Sequence, residues 1–192
     1  MRKIFGICAV LLLVSGVAAA TDYWHFGLGV KGIAAFPGSG YSTAYGGGIS
    51  ATFGLPDSRF ITQLEFDKWR SSYYQIFDGQ NRKHQYSGLG AGFYEKYKGL
   101  EISSKFAGYV IGGFGAYFLD LKREVVLTGT TQKELRSVFL HAVPFLSAGL
   151  GLEGKMKSNL YAFVEGRYIL IGSTLDTDKN IIATSAGIRI VF

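Results

Sequence analysis

The chain has 192 residues, a length suited to one domain. It carries 27 glycines, about twice the usual share of about 7%, with three prolines, one cysteine and a formal charge of +6. This balance excludes a disulfide-stapled scaffold, a disordered chain and a collagen-like one. The basic bias is mild and dispersed, so no nucleic-acid partner is expected.

The N-terminus reads as a targeting signal. Arg2 and Lys3 form a positive start, residues 4–14 a short apolar core, and Ala18, Ala19 and Ala20 a small-residue cleavage site. The core is too short to cross a bilayer as a helix. Residues 1–20 are therefore expected to be a cleaved signal peptide and residues 21–192 a single exported domain. Cys8 would leave with the signal, and losing Arg2 and Lys3 lowers the charge from +6 to +4. With no disulfide possible, the exported domain must be held by packing and backbone pairing.

From there on the period of alternation is two, in eight stretches broken by polar turns. In the first, residues 24–36, Trp24, Phe26, Leu28, Val30 and Ala34 oppose His25, Gly27, Gly29 and Lys31. In the second, residues 45–53, Tyr45, Ile49, Ala51 and Phe53 oppose Gly46, Gly48, Ser50 and Thr52. The third sets Phe60, Leu64 and Phe66 against Gln63, Glu65 and Asp67, and the fourth sets Leu89, Ala91 and Phe93 against Gly88, Gly90 and Gly92. The fifth, residues 106–121, is blurred by Gly112 and Gly113, which read as a bulge that switches faces. The sixth is clean, with Val138, Leu140, Ala142, Leu146, Leu150 and Leu152 against His141, Ser147, Gly149, Gly151 and Glu153. In the seventh, Leu160, Ala162, Val164, Tyr168 and Leu170 oppose Glu165 and Arg167. The eighth sets Ile182, Ala186, Ile188, Ile190 and Phe192 against Ser185, Gly187 and Arg189.

One face is thus apolar, and the other carries glycine, serine and charge. A soluble sandwich or a lipocalin-like carrier would turn the apolar face inward, whereas a membrane barrel turns it to lipid. Three features favour the membrane. The stretches reach the nine to eleven residues that a tilted strand needs to cross a bilayer. The connections alternate: residues 54–58, 95–104 and 154–159 are shorter on average than 70–83 and 122–137, matching short periplasmic turns and long outer loops. The aromatics fall near stretch ends, as two interfacial girdles: Trp24, Phe53, Phe60, Phe93, Tyr161 and Phe192 at one rim, and Tyr45, Trp69, Tyr117 and Tyr168 at the other. The expected fold is an all-β, eight-stranded antiparallel transmembrane up-and-down β-barrel.

The last residues, Ala186-Gly187-Ile188-Arg189-Ile190-Val191-Phe192, resemble the C-terminal assembly signal of outer-membrane barrels, carried here by Ile188, Ile190 and Phe192. Residues 144–153 followed by 163–168 are similar to the last hairpins of the small outer-membrane β-barrel family, which includes the OmpA-like transmembrane domain, OmpX and the opacity proteins. The resemblance implies the outer membrane of a Gram-negative-type bacterium. It also implies insertion by the barrel-assembly machinery with periplasmic chaperones, and contact with outer-membrane lipid and lipopolysaccharide. It implies no particular activity, since the family covers adhesins, stabilisers and narrow pores.

The chemistry sits on the inner face, where Lys31, Glu65, Asp67, His141, Glu153, Glu165, Arg167 and Arg189 all project. An eight-stranded barrel is just wide enough for side chains to fill, and buried charges must be paired. A charge network plugging the lumen is expected, with a narrow porin-like channel as the alternative. Catalysis is not expected: a lipid A-modifying site needs a His near a Ser. His141 shares its face with Ser147 and Glu153, but each step is six residues, roughly 20 Å along a strand. No metal-ligand spacing or phosphate loop is present, so no cofactor is expected, and a monomer is the expected state. A structural, adhesion or surface-interaction role would then fall to the outer loops, where residues 71–83 and 122–136 carry aromatic and basic side chains.

Overall fold

The computed structural model describes residues 25–37, 42–55, 58–77, 80–126, 133–172 and 180–192, without the side chains at 75–81, 126, 133 and 138–140. The expected signal peptide and Trp24 lie outside these residues. Eight strands follow in chain order: β1 (His25–Pro37), β2 (Ala44–Gly54), β3 (Phe60–Phe77), β4 (Gln80–Glu101), β5 (Phe106–Val126), β6 (Lys133–Lys155), β7 (Leu160–Ile171) and β8 (Asn180–Val191). Each pairs antiparallel with the next, and β8 pairs with β1 to close the barrel. Closure leaves no open edge in hydrocarbon, where each unpaired backbone group costs several kcal/mol. Phe192 N donates to Phe26 O at 2.7 Å and so completes the seam at its lower end.

Outward-facing side chains are apolar along the wall, including Val30, Ile49, Phe66, Leu89, Phe114 and Leu150. These faces match the alternation in the sequence and rule out a soluble carrier barrel, which would reverse them. The fifth strand keeps one phase: Tyr109, Ile111, Tyr117 and Leu119 are buried, while Val110, Phe114 and Phe118 face out. The expected switch at Gly112 and Gly113 does not occur. The register shift lies instead at Leu121/Lys122, with a second at Lys98/Leu100 in β4.

The girdles are redrawn. At the short-turn rim Phe26 packs against Phe53 at 5.4 Å and Phe192 at 6.1 Å, and Phe60 packs against Tyr97 at 5.0 Å. Phe93 instead sits in mid-wall, paired with Leu64 and Phe114, and Tyr161 turns inward toward Lys98 and Arg189. At the opposite rim Tyr45 and Tyr168 are exposed, but Trp69 and Tyr117 are buried inside the barrel. Trp69 belongs to the same parity as Gln63, Glu65 and Asp67. Strand geometry sends it inward however large and apolar it is.

β3 to β6 have 18 to 23 residues, against 11 to 13 in the other four. The surplus lies at the long-connection end. The register of β2 on β3 stops at Tyr45↔Arg70, and that of β6 on β7 stops at Phe145↔Ile171. Residues 70–77, 80–83, 122–126 and 133–137, expected as loops, continue these strands beyond the barrel; β4 and β5 stay paired up to His84↔Arg123, and past it the sheet splits into the β3–β4 and β5–β6 hairpins. Residues 122–125 are all half-buried, with no alternation of buried and exposed positions, so the in–out pattern that marks a strand in the sequence fades there.

Candidate functional site

The inward-facing residues form two storeys. The lower one, toward the short turns, is ionic. Arg167 on β7 donates through Nη1 and Nη2 to both oxygens of Glu65 on β3, at 2.6 Å each, and also bonds Glu165. This fork suits a planar guanidinium. Lys31 on β1 donates to Glu65 Oε2 at 2.8 Å, and Gln63 donates to its other oxygen. Lys96 on β4 donates to Glu165 Oε1 at 2.6 Å, and the Tyr109 hydroxyl donates to the same oxygen at 2.8 Å. Rings cover the cations: Arg167 lies 4.3 Å from the Tyr94 centroid and Lys96 4.5 Å from that of Tyr109. Nearer the mouth, Glu153 accepts from Arg189 at 2.7 Å and pairs with Lys98. Partners 34 to 102 positions apart in sequence thus meet across the lumen.

The upper storey is apolar. Tyr117 packs tilted against Phe145 at 4.7 Å and meets Trp69 edge-on at 6.0 Å, while Ile33, Leu119, Val143, Ile169 and Ile181 are buried around them. Asp67 stands between the storeys. Its Oδ2 accepts from the Tyr117 hydroxyl at 3.3 Å, and Oδ1 has no hydrogen-bond partner. A cavity of about 20 Å³ lies there, lined by Lys31, Asp67, Trp69, Tyr94 and Arg167 among others.

Glycines seat the large rings. A Cβ at Gly88 would stand 2.5 Å from Trp69 Cζ2, and one at Gly187 would stand 2.7 Å from Phe163 Cζ. Gly90, Gly113 and Gly151 serve Tyr117, Tyr94 and Tyr109 in the same way. Five of the glycines that the sequence assigns inward, Gly88, Gly90, Gly92, Gly151 and Gly187, are therefore floors on which aromatic rings lie.

Of the inner-face residues singled out in the sequence, Lys31, Glu65, Glu165 and Arg167 meet in one cluster, and Glu153 and Arg189 meet in a second. Asp67 is buried beside the first without an ion pair to it at salt-bridge distance. His141 does not join them: it is exposed, on the part of β6 that rises beyond the end of β7, where parity no longer points into a lumen. Lys96 and Lys98, which complete the two clusters, are not among the residues that the sequence singles out. Continuing the fourth alternation past Phe93 puts Tyr94, Lys96 and Lys98 on the face of Gly88, Gly90 and Gly92. The polar residues 95–104 hide this continuation because they look like a turn. Ile188, Ile190 and Phe192 all face outward on the closing strand. Among the described residues no group of three His, Cys, Asp or Glu stands close enough to hold a metal ion.

A closed eight-stranded antiparallel barrel with an apolar outer wall is the fold of small bacterial outer-membrane β-barrels. Solved structures similar to this chain include Neisserial surface protein A, with a TM-score of 0.56 and 16% identity over 88% of this chain and 97% of that one. Ail, the attachment invasion locus protein of Yersinia pestis, in complex with the heparin analogue sucrose octasulfate, gives 0.54 and 16% over 88% and 98%. A major outer membrane protein from Thermus thermophilus gives 0.64 and 10% over 87% and 99%. At these identities the likeness is one of fold. No protein-family model matches the chain, and no curated protein sequence is similar to it.

Proposed function

We propose that this protein is a monomeric outer-membrane barrel with a plugged lumen, whose role is surface interaction carried by the protruding β3–β6 sheet. The observation that carries this reading is the mismatch in strand length. Four strands run far past the barrel, where they add nothing to crossing the membrane. Their hairpins bear Tyr73, Tyr74, Arg82, Lys83, Lys122, Arg123 and Arg136 beside Glu124 and Glu134, a net-basic mixture suited to anionic surface glycans, including the phosphorylated headgroups of lipopolysaccharide. The similar Ail structure is a complex with a heparin analogue, sucrose octasulfate, so the fold is compatible with such a ligand. Export by a cleaved signal, and assembly through Ile188, Ile190 and Phe192 by the barrel-assembly machinery, belong to the same reading.

The test is binding of cells displaying the protein to a heparin-coated surface. It compares wild type with a variant in which residues 72–83 and 122–136 are replaced by short turns. Loss of binding with unchanged heat-modifiable gel migration is expected. Unchanged binding would overturn the reading. Single-channel recording separates the alternative of a narrow pore: the plugged lumen is expected to give no conductance steps.

A further inference from the structure

The protruding sheet ends in a fork, and the rung at that fork is basic. His84 on β4 lies opposite Tyr73 on β3 and Arg123 on β5, and Arg123 lies opposite Arg136 on β6. Directly opposed residues of an antiparallel ladder share a face, with Cβ atoms about 4.5–5.5 Å apart. Arg82, two positions from His84, falls on that face as well. The face continues that of the lumen, because Tyr86 comes next below His84 at the same parity and meets Trp69 edge-on at 5.2 Å.

His84 is buried to 2% exposure, and its ring stacks on Tyr73 with centroids 4.8 Å apart. Its Nδ1 has no hydrogen-bond partner. Burial, with Arg123 and Arg82 nearby, pushes the imidazole below its usual value, so the ring is uncharged at neutral pH. Among the described residues of this region, Glu134 is the carboxylate on the same face, paired with Arg136 at 3.2 Å. Asp120 and Glu124 fall on the other face by strand parity. A second proton on His84 would place an imidazolium beside two guanidinium groups, with no acceptor for its Nδ1–H. A bound oxyanion supplies both the acceptor and the counter-charge.

We infer that this rung is the subsite through which the protruding sheet takes a sulfate or phosphate ester of an anionic glycan, with Arg82 and Arg123 holding the oxyanion and His84 taking up a proton as it binds. Proton and anion binding are reciprocal, so each strengthens the other by the same factor. The bound anion raises the proton affinity of the imidazole. Glycan affinity therefore rises as pH falls through the His84 titration, and the gain is absent at higher pH, where the ring is neutral with or without ligand. The inference rests on the surface-interaction reading and adds its subsite and its pH dependence.

The experiment is an NMR titration of the detergent-solubilised protein, labelled in its histidine rings, with and without saturating heparin hexasaccharide or deacylated lipopolysaccharide. Affinity for each glycan is measured by calorimetry at pH 7.5 and pH 5.5. Sulfate esters keep their charge over this range. In that arm the glycan is expected to raise the pH at which His84 titrates, with a gain in proton affinity of about tenfold matched by an equal gain in glycan affinity. Phosphate esters titrate themselves, so that arm is read as the difference between wild type and His84→Gln. His84→Gln should bind at pH 7.5 as wild type does and lose the dependence on pH. Arg82→Gln/Arg123→Gln should lose most binding at both. The His84 signal is the one missing from His84→Gln or, should that variant not migrate as a closed barrel, the one kept by His25→Gln/His141→Gln. A linked shift in either arm supports the subsite and names the ester. Glycan binding that leaves the His84 titration unmoved, or an unchanged pH dependence in His84→Gln, overturns the subsite alone. No binding of either glycan at either pH overturns the surface-interaction reading and this inference with it.

Discussion

The two storeys of the lumen solve the same packing problem with opposite chemistry. Below Asp67 the walls are joined by charge; above it they are joined by rings and branched aliphatics. Three cations, Lys31, Lys96 and Arg167, face two carboxylates, Glu65 and Glu165, with Asp67 above them. Taking such ions out of water costs several kcal/mol each, and the attraction offsets this only while every partner is in place. The upper storey has no such mutual dependence. Its side chains are held by shape, so replacements that conserve volume are tolerated. The barrel is therefore brittle in two ways: single losses are felt most in the lower storey, and changes of volume are felt most in the upper.

The largest expected effect is Arg167→Met, which leaves Glu65 and Glu165 facing each other without their shared guanidinium. A loss of about 3–5 kcal/mol is expected, read as the urea midpoint of the detergent-solubilised protein. A loss under about 1 kcal/mol would mean that water, not Arg167, satisfies those carboxylates. Next comes Ile181→Ala in the upper storey, buried to 1% exposure, where cavity formation should cost about 2–4 kcal/mol. Equal sensitivity of this variant and of a volume-conserving Ile181→Leu would break the claim that shape rules the upper storey. Gly88→Ala follows, since its Cβ would press on Trp69 at 2.5 Å. An overpacking loss of about 1–3 kcal/mol is expected, seen as a lower temperature of the heat-modifiable gel shift. The smallest effect belongs to the protruding sheet. Arg136 pairs with Glu134 at 3.2 Å with both side chains more than half exposed, and Arg136→Ala should change stability by less than about 0.5 kcal/mol.

Strand parity was legible almost throughout. Gln63, Glu65 and Asp67, or Glu165 and Arg167, announce an inward face by alternation with apolar neighbours, and the structure keeps that phase. Side-chain chemistry and side-chain direction part company at two kinds of position. Trp69 and Tyr117 read as girdle residues because they are aromatic near strand ends, yet their parity sends them inward. His141 reads as a lumen group because its parity is right, yet it stands above the point where the lumen ends. Lys96 and Lys98 were hidden for a third reason: a polar stretch after Phe93 imitates a turn.

Period-two alternation, strand number, antiparallel closure and the lipid-facing side follow from the sequence alone. They are set by local geometry, which sends successive side chains to opposite faces, and by the need to satisfy every backbone group in hydrocarbon. Pairing partners and depth came only with the tertiary structure. Whether an inward residue meets a charge, a ring or open water depends on register and shear across strands up to 102 positions apart, and no local pattern encodes that distance.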